Sequence, residues 1–415
     1  MSEKQLKIYI CDHININESV LETYGALNIS LFSDFPLFID PFLLFENGKE
    51  EYKKLHVEIL RYVGYLRDRV LENNLSKGDI QHLFYFPEIK QNWLGYSEFG
   101  NSGRGLAGEF AASLIKNLDR LFSDTGGEKI TRELHVEKLC IIDQGVGRDN
   151  ISDFIANIIK FYLLDYSEKF AIQFLTEENR REVIVKKAYF NYELERWMPK
   201  KYTLPYIFDD YVILSPKDML TKDENWINSR ELINRFHTVA ASIPNSQLQA
   251  SISRYFLRNL PPTRFNRKGK PIAPSQKEVS ETVRKVIEQF PEYVDYYIRF
   301  KESTGNDAKD VSKEKVLLTE SYLIDKIKEI ISHLENKTKF YQESPNSFDE
   351  SKRRVIYLKE FIENNDGYKI FYFKDKAIKR ESDLQLMFKL VWHVTEYDVN
   401  SEVNNGMGPV DFKIS

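Results

Sequence analysis

The chain has 415 residues, of which 42% are hydrophobic and 29% are charged, and its formal net charge is −4. This length is enough for two or three domains, and this composition is typical of a globular protein rather than a disordered one. Because the net charge is slightly negative, any contact with nucleic acid must come from a local basic patch.

The two cysteines, Cys11 and Cys140, have no zinc-binding spacing and are too few for a disulfide framework. The N-terminus lacks the apolar stretch of a signal peptide, and no apolar run approaches the roughly 20 residues that span a bilayer. We therefore expect a cytoplasmic protein that has no membrane partner.

Residues 1–225 predict a mixed α/β (α+β) module. KIYICDHI, near the N-terminus, alternates loosely like a strand, and apolar residues at helical spacing predict a long helix over 49–74. A second helix is predicted over 106–123. The run HVEKLCIID (135–143) predicts a buried strand, and 182–215 has the pattern of further strands.

Two glycine loops lie in this module. GRGLAG (103–108) fits a dinucleotide-binding pattern, but no clean strand precedes it, which favours a plain loop and helix start. DQGVGRDNISD (143–153) places three carboxylates around two glycines, so it is either a metal loop or the cap of a helix near 149–152. These two loops are the basis of a weaker hypothesis, that the N-terminal module is itself a nucleotide-dependent enzyme.

Residues 226–365 predict a mainly helical region. Asn228 or Ser229 is placed to cap its first helix, and further helices are predicted over 246–259 and 276–301. A proline-rich basic connector lies between these two. It holds the four candidate nucleic-acid-binding residues Arg264, Arg267, Lys268 and Lys270. Phosphate contact and simple solvation both explain such a cluster.

Residues 366–415 predict a short αββ unit with acidic residues at defined places. Glu381 lies in the first turn of a predicted helix, and Asp411 interrupts a strand-like run about thirty residues later. Glu402 leads into a glycine hairpin between them. An acid at a helix start or beside a turn has ordinary structural explanations as well.

This pattern resembles the PD-(D/E)xK nuclease superfamily, and ESDLQ followed by EVNNGMGPVDF is similar to uncharacterised bacterial proteins that carry such a domain. The resemblance implies a restriction-endonuclease-like αββ core that takes Mg²⁺ or Mn²⁺. Glu381 and Asp411 match the acids of its helix and strand, and Glu402 is a further metal ligand. Such ions polarise phosphate and activate water.

The family also has an acid-x-Lys motif on the next strand, and here only four residues follow Asp411. Asp411 and Lys413 themselves fit D-x-K, in which case Glu402 or Asp398 is the second acid. The GPVD turn favours Asp411 as the strand acid that precedes a separate acid-x-Lys motif. Under this assignment the catalytic core is truncated in this chain. Lys413 remains a candidate for orienting the water.

We therefore expect a metal-dependent DNA nuclease-related hydrolase, of a kind found in restriction or anti-phage defence, with DNA and a protein partner or second copy as partners. The alternative is a binding or scaffold protein with an inert nuclease-like tail.

Overall fold

The computed structural model describes residues 9–30, 37–94, 104–122, 130–143, 145–222 and 224–319, with short segments after 348. The protein is a mixture of helices and small antiparallel sheets. The helices of the N-terminal region are α1 (Ile10–His13), α2 (Glu18–Tyr24), α3 (Pro41–Glu46), α4 (Glu50–Leu71), α5 (Lys77–Leu83), α6 (Arg104–Phe122), α7 (Leu139–Ile142), α8 (Arg148–Ile158) and α9 (Lys160–Phe174).

The long helix predicted over 49–74 is confirmed as α4. Its buried side chains recur at three- and four-residue spacing, which places them on one stripe against the core. The helix predicted over 106–123 is confirmed as α6.

The predicted strands over 182–215 are confirmed by a long antiparallel hairpin on which α9 packs. The strands of this region are β1 (Leu37–Ile39), β2 (Arg180–Asn191), β3 (Arg196–Ile207), β4 (Asp210–Tyr211) and β5 (Leu220–Lys222). β2, β3 and β4 form one sheet in that order, and β1 pairs with β5.

Two strand predictions in this region were wrong. The run 135–143 forms a 3₁₀ turn (Val136–Lys138) that continues into α7. A short apolar run does not distinguish a buried strand from a buried helical turn. The described part of KIYICDHI forms α1 rather than a strand, since Ile14 N donates to Ile10 O.

The second region is helical, as expected, and comprises α10 (Ser229–Asn234), α11 (Phe236–Ala241), α12 (Ser246–Asn259), α13 (Gln276–Gln289) and α14 (Glu292–Ser303). Asn228 caps α10, because its side chain accepts from Glu231 N. The single helix predicted over 276–301 is divided at Pro291, which lacks the N–H that a continuous helix needs. Residues 306–319 are helical as well.

Two hydrophobic cores organise the described residues. The first is built mainly from residues between Tyr9 and Leu220, and the second mainly from residues between Ile227 and Ala308. Phe42 and Leu43 of α3 belong to the second core, whereas Leu44 belongs to the first. The helix α3 therefore joins the two cores.

Buried polar contacts also join the two cores. Lys138 Nζ lies 2.5 Å from Asp295 Oδ1, and both side chains are buried. His135 Nε2 lies 3.0 Å from Glu302 Oε1, again with both side chains buried. Buried polar groups require such partners, so these contacts constrain how the cores meet.

Three short hairpins complete the described structure. They are formed by β6 (Arg264–Phe265) with β7 (Pro271–Ile272), β8 (Tyr372–Phe373) with β9 (Lys376–Ala377), and β10 (Val399–Asn404) with β11 (Pro409–Ile414).

Candidate functional site

The C-terminal acids predicted to bind metal are only partly within the described residues. Glu381 lies outside them. Glu402 is on β10, and Asp411 and Lys413 are on β11. The register pairs Ser401 with Phe412 and Val403 with Val410, so Glu402 lies across from Asp411 in the hairpin.

The predicted basic connector folds as a small hairpin, which we name the basic hairpin (residues 264–272). The Asn266 side chain accepts from Lys268 N and Lys270 N, and Gly269 has a φ of +70°. Glycine adopts such a φ more readily than any other residue, so Gly269 suits its position in the tight turn formed by RKGK.

The side chains of the basic hairpin are exposed. Arg264 Nη2 lies 2.7 Å from Glu278 Oε2, which ties the hairpin to α13. Among the described residues, Arg267, Lys268 and Lys270 form no ion pair that would compete for a phosphate. Phe265 is 65% exposed beside them. The structure thus brings the four predicted residues together on one exposed element.

A cleft of about 480 Å³ lies between the two cores, with α6, α7 and α8 on one side and α10 and α13 on the other. We name it the arginine cleft, because it is lined by Arg120, Arg148, Arg230 and Arg284. Its acidic lining residues are Glu224 and Glu288, so positive charge exceeds negative charge.

Val146 and Gly147 of the glycine loop line this cleft, and Asp143 of the same loop is anchored to α6. The Asp143 carboxylate accepts from Ser113 Oγ at 2.7 Å, Asn117 Nδ2 at 3.0 Å and Gly145 N at 3.0 Å. Burial alone would raise the pKa of Asp143, but these hydrogen bonds hold it below its ordinary value. Asp143 therefore anchors the loop to α6, and the helix cap that the sequence predicted near 149–152 lies at Gly147 instead.

The helix α8 begins at the cleft. Its cap residue, Gly147, has no side chain and so offers no side-chain acceptor to the first turn. Arg148, the first helical residue, stacks its guanidinium 4.7 Å from the centre of the Phe38 ring. The positive end of the helix and a fixed arginine thus lie on the same wall.

The buried amide of Asn225 is the least expected feature of the arginine cleft. The residue is 3% exposed, and neither side-chain Oδ1 nor Nδ2 has a hydrogen-bond partner among the described residues. Asn225 lines the cleft. An amide buried without partners is costly, so its retention at a cavity wall points to a bound partner.

Among the residues of the cleft, the sequence indicated the glycine loop and the helix cap at Asn228 or Ser229. Arg120, Asn225 and Arg284 lie on separate elements far apart in the chain, and no local pattern connects them.

A buried acid pair lies at the same junction. Asp40 accepts from Phe42 N at 3.1 Å and Trp226 N at 2.7 Å. Burial raises the pKa of Asp40 to about 6 despite these hydrogen bonds. Burial and the neighbouring Asp40 carboxylate raise the pKa of Glu137 to about 8. One of the two acids therefore keeps its proton near neutral pH.

The described residues contain no group of three or more His, Cys, Asp and Glu side chains placed to hold a metal ion. In the same residues, no helix is both long and apolar enough to cross a membrane.

Comparison with known proteins places this architecture in a family. The family model described as "Domain of unknown function (DUF8370)" matches residues 15–228, just over half of the chain. A second model, "Domain of unknown function (DUF8371)", matches residues 347–415. No curated protein and no solved structure matches the chain.

Proposed function

The chain belongs to the DUF8370 family, and we propose that it is a metal-dependent DNA nuclease-related protein. Its C-terminal segment binds Mg²⁺ or Mn²⁺ through Glu381, Glu402 and Asp411. Its two-core body carries the basic hairpin that contacts DNA. A restriction or anti-phage role follows from the resemblance of the C-terminal motifs to that class of bacterial protein.

The observation that carries this proposal is the register of the C-terminal hairpin. It places Glu402 and Asp411 at opposite positions of neighbouring strands. Opposite positions of an antiparallel pair are close, and two like charges there are unfavourable unless a cation neutralises them. Hard divalent cations prefer carboxylate oxygens, so this position suits a shared Mg²⁺.

Lys413 extends the same arrangement. It follows Asp411 by two residues in β11, and strand positions two apart share one face. A lysine on the face that holds the metal would stabilise the negative charge that develops on phosphate during attack by water. The metal would lower the pKa of that water and polarise the phosphate.

The basic hairpin supports DNA as the substrate. Arg267, Lys268 and Lys270 are exposed on one turn, where they can approach the phosphate backbone. Contacts of this kind position the duplex without reading its sequence, so the proposal is for binding of limited sequence specificity at this element.

The proposal is tested by cleavage of supercoiled plasmid by the full chain with Mg²⁺ or Mn²⁺. We expect nicking or linearisation by the wild type and loss of cleavage in Glu381→Ala and Asp411→Ala. Loss of cleavage in Asp398→Asn would favour the alternative motif assignment in which Asp398 is the second acid. Glu396→Gln, an acid of the same segment that the proposal leaves out, is the matched control.

Undiminished cleavage in both alanine variants would remove the site assignment. A wild-type chain that binds a macromolecular partner but cleaves no DNA with either metal would favour a scaffold with an inert tail.

A further inference from the structure

The arginine cleft lies on elements that the proposed nuclease site does not use. It is formed by the two-core body, at α6, α7, α8, α10 and α13. Its volume of about 480 Å³ falls within the range of roughly 300–1,000 Å³ typical of small-molecule sites. An inorganic anion alone is much smaller than such a space.

The charges of the cleft favour an anionic ligand. Arg230 Nη2 lies 3.4 Å from Glu224 Oε1, so that arginine is partly neutralised. Arg120 and Arg284 are exposed from opposite walls, and the N-terminal end of the eleven-residue helix α8 adds its own positive potential. Arginine and helix N-termini are the groups that bind phosphate best in proteins.

The Asn225 side chain further limits which chemical groups the ligand can carry. Its Nδ2 is a donor that suits a phosphate oxygen, whereas its Oδ1 accepts a hydrogen bond and needs a donor. Fully ionised phosphate offers no donor. A phosphate ester that satisfies both atoms at neutral pH, where its phosphate is largely a dianion, carries hydroxyl or N–H groups in addition to its phosphate.

The remaining walls are apolar. Ile142, Val146, Ile227 and Ile287 line the cleft between the polar groups. Such a surface buries an organic group and excludes water around the charged one. A phosphate, a part with hydroxyl or N–H donors and an apolar part are combined in a nucleotide.

We propose that the arginine cleft binds a nucleoside monophosphate, with the phosphate near Arg120, Arg284 and the start of α8, and with Asn225 bonded to the sugar or base. Because both cores supply walls, a bound nucleotide contacts both. The site thereby gives the body of the protein a ligand distinct from its DNA substrate.

The test is calorimetric titration of the full chain with adenosine and guanosine 5′-monophosphates, ribose 5-phosphate and inorganic phosphate. We expect a nucleotide to bind more tightly than ribose 5-phosphate, and inorganic phosphate to bind most weakly. Arg284→Gln should weaken nucleotide binding about tenfold, the effect expected for one charge-assisted hydrogen bond.

Asn225→Asp keeps the shape of the side chain, but its carboxylate cannot donate a hydrogen bond to the sugar or base and adds a negative charge to the cleft, so nucleotide binding should be much weaker. Arg299→Gln, an exposed arginine of α14 outside the cleft, is the matched control and should bind as the wild type does. If Asn225→Asp fails to fold, Arg284→Gln and Arg120→Gln still decide the question, since both arginines are exposed.

Absence of nucleotide binding at millimolar concentration would overturn the proposal. Nucleotide affinity that is equal in the wild type, Arg284→Gln and Arg120→Gln would overturn it too. Inorganic phosphate that binds as tightly as the nucleotides would overturn the nucleotide assignment and leave free phosphate as the ligand.

Discussion

The ion pair between Lys138 and Asp295 shows how single residues hold the two cores together. The two side chains are 9% and 3% exposed, and they come from elements 157 positions apart in the chain. When one partner of a buried pair is removed, the other remains as an uncompensated buried charge.

We therefore expect Lys138→Met to lower the free energy of unfolding by about 3–5 kcal/mol. Replacing both partners, as in Lys138→Met with Asp295→Leu, should restore much of that stability, because no charge then stays buried. Urea unfolding of the wild type, both single variants and the double variant measures the coupling. A double variant as unstable as the sum of the single ones would show that the two residues act independently.

The raised pKa of Glu137 gives the protein a pH dependence of defined sign. Burial, with Asp40 nearby, raises this pKa from 4.5 to about 8. A carboxyl whose pKa is higher in the folded state stabilises the fold below its unfolded pKa, and that stability is lost as pH rises through the folded pKa. The pKa of Asp40 is raised from 3.8 to about 6, so its contribution to stability also declines as pH rises through this range.

We expect Glu137→Gln, which carries no titratable proton, to reduce the loss of stability between pH 4.5 and 8. Since one pKa unit corresponds to about 1.4 kcal/mol, the variant should gain on the order of several kcal/mol relative to the wild type across this range. Denaturant midpoints at a series of pH values measure it. Glu133→Gln, an exposed neighbour, should keep the wild-type slope, and a wild-type slope in Glu137→Gln would contradict the expected linkage.

His56 opposes this trend at lower pH. Burial and the nearby His135 lower its pKa from 6.5 to about 4. A base whose pKa is lower in the folded state stabilises the fold above its unfolded pKa, and that contribution declines as pH falls below 6.5. The acids and His56 therefore make opposing contributions to stability between pH 4.5 and 6.5.

At the scale of elements, the basic hairpin is the part of the body that the nuclease proposal assigns to DNA contact. Arg267, Lys268 and Lys270 lie around one tight turn, and Gly269 and Asn266 fix its shape. Each phosphate contact releases condensed counterions, so binding through this element must depend on salt.

We expect the triple variant Arg267→Gln, Lys268→Gln, Lys270→Gln to bind DNA more weakly and with a shallower salt dependence. The slope of log affinity against log salt should decrease by about 0.9 for each phosphate that the variant no longer neutralises. Fluorescence anisotropy with a labelled duplex at several salt concentrations measures both quantities. Arg299→Gln combined with Arg258→Gln is a control on exposed arginines away from the turn, and an unchanged slope in the triple variant would exclude DNA binding by the hairpin.

The elements also show what the sequence could predict. The helix α4, the strands of the 182–215 region and a cap at Asn228 or Ser229 follow from local periodicity or local side-chain chemistry, and each was predicted. The 135–143 run was predicted wrongly because its apolar pattern is too short to have a period. Its buried Glu137 and Lys138 interact with residues of other elements, which no local pattern contains.

At the scale of the whole molecule, the described chain is a body with two cores joined by α3 and by buried polar contacts. The arginine cleft lies where those cores meet, so its residues are brought together by tertiary structure. For that reason the sequence indicated the basic hairpin, whose residues are contiguous, but did not indicate Asn225 or Arg284.

The nuclease proposal depends on the C-terminal hairpin, where the strand prediction was confirmed and the chemistry remains a prediction. The register puts Glu402 across from Asp411. The proposal assigns a shared divalent cation to this pair, because hard cations prefer carboxylate oxygens.

The most direct measurement is Mn²⁺ binding by the full chain, monitored through the electron paramagnetic resonance signal of the free ion. We predict that the wild type and the control Glu396→Gln take up Mn²⁺ with the same affinity. Asp411→Ala should bind at least about tenfold more weakly, because it lacks a charged ligand. Equal Mn²⁺ uptake by the wild type and Asp411→Ala would contradict a metal site at this hairpin.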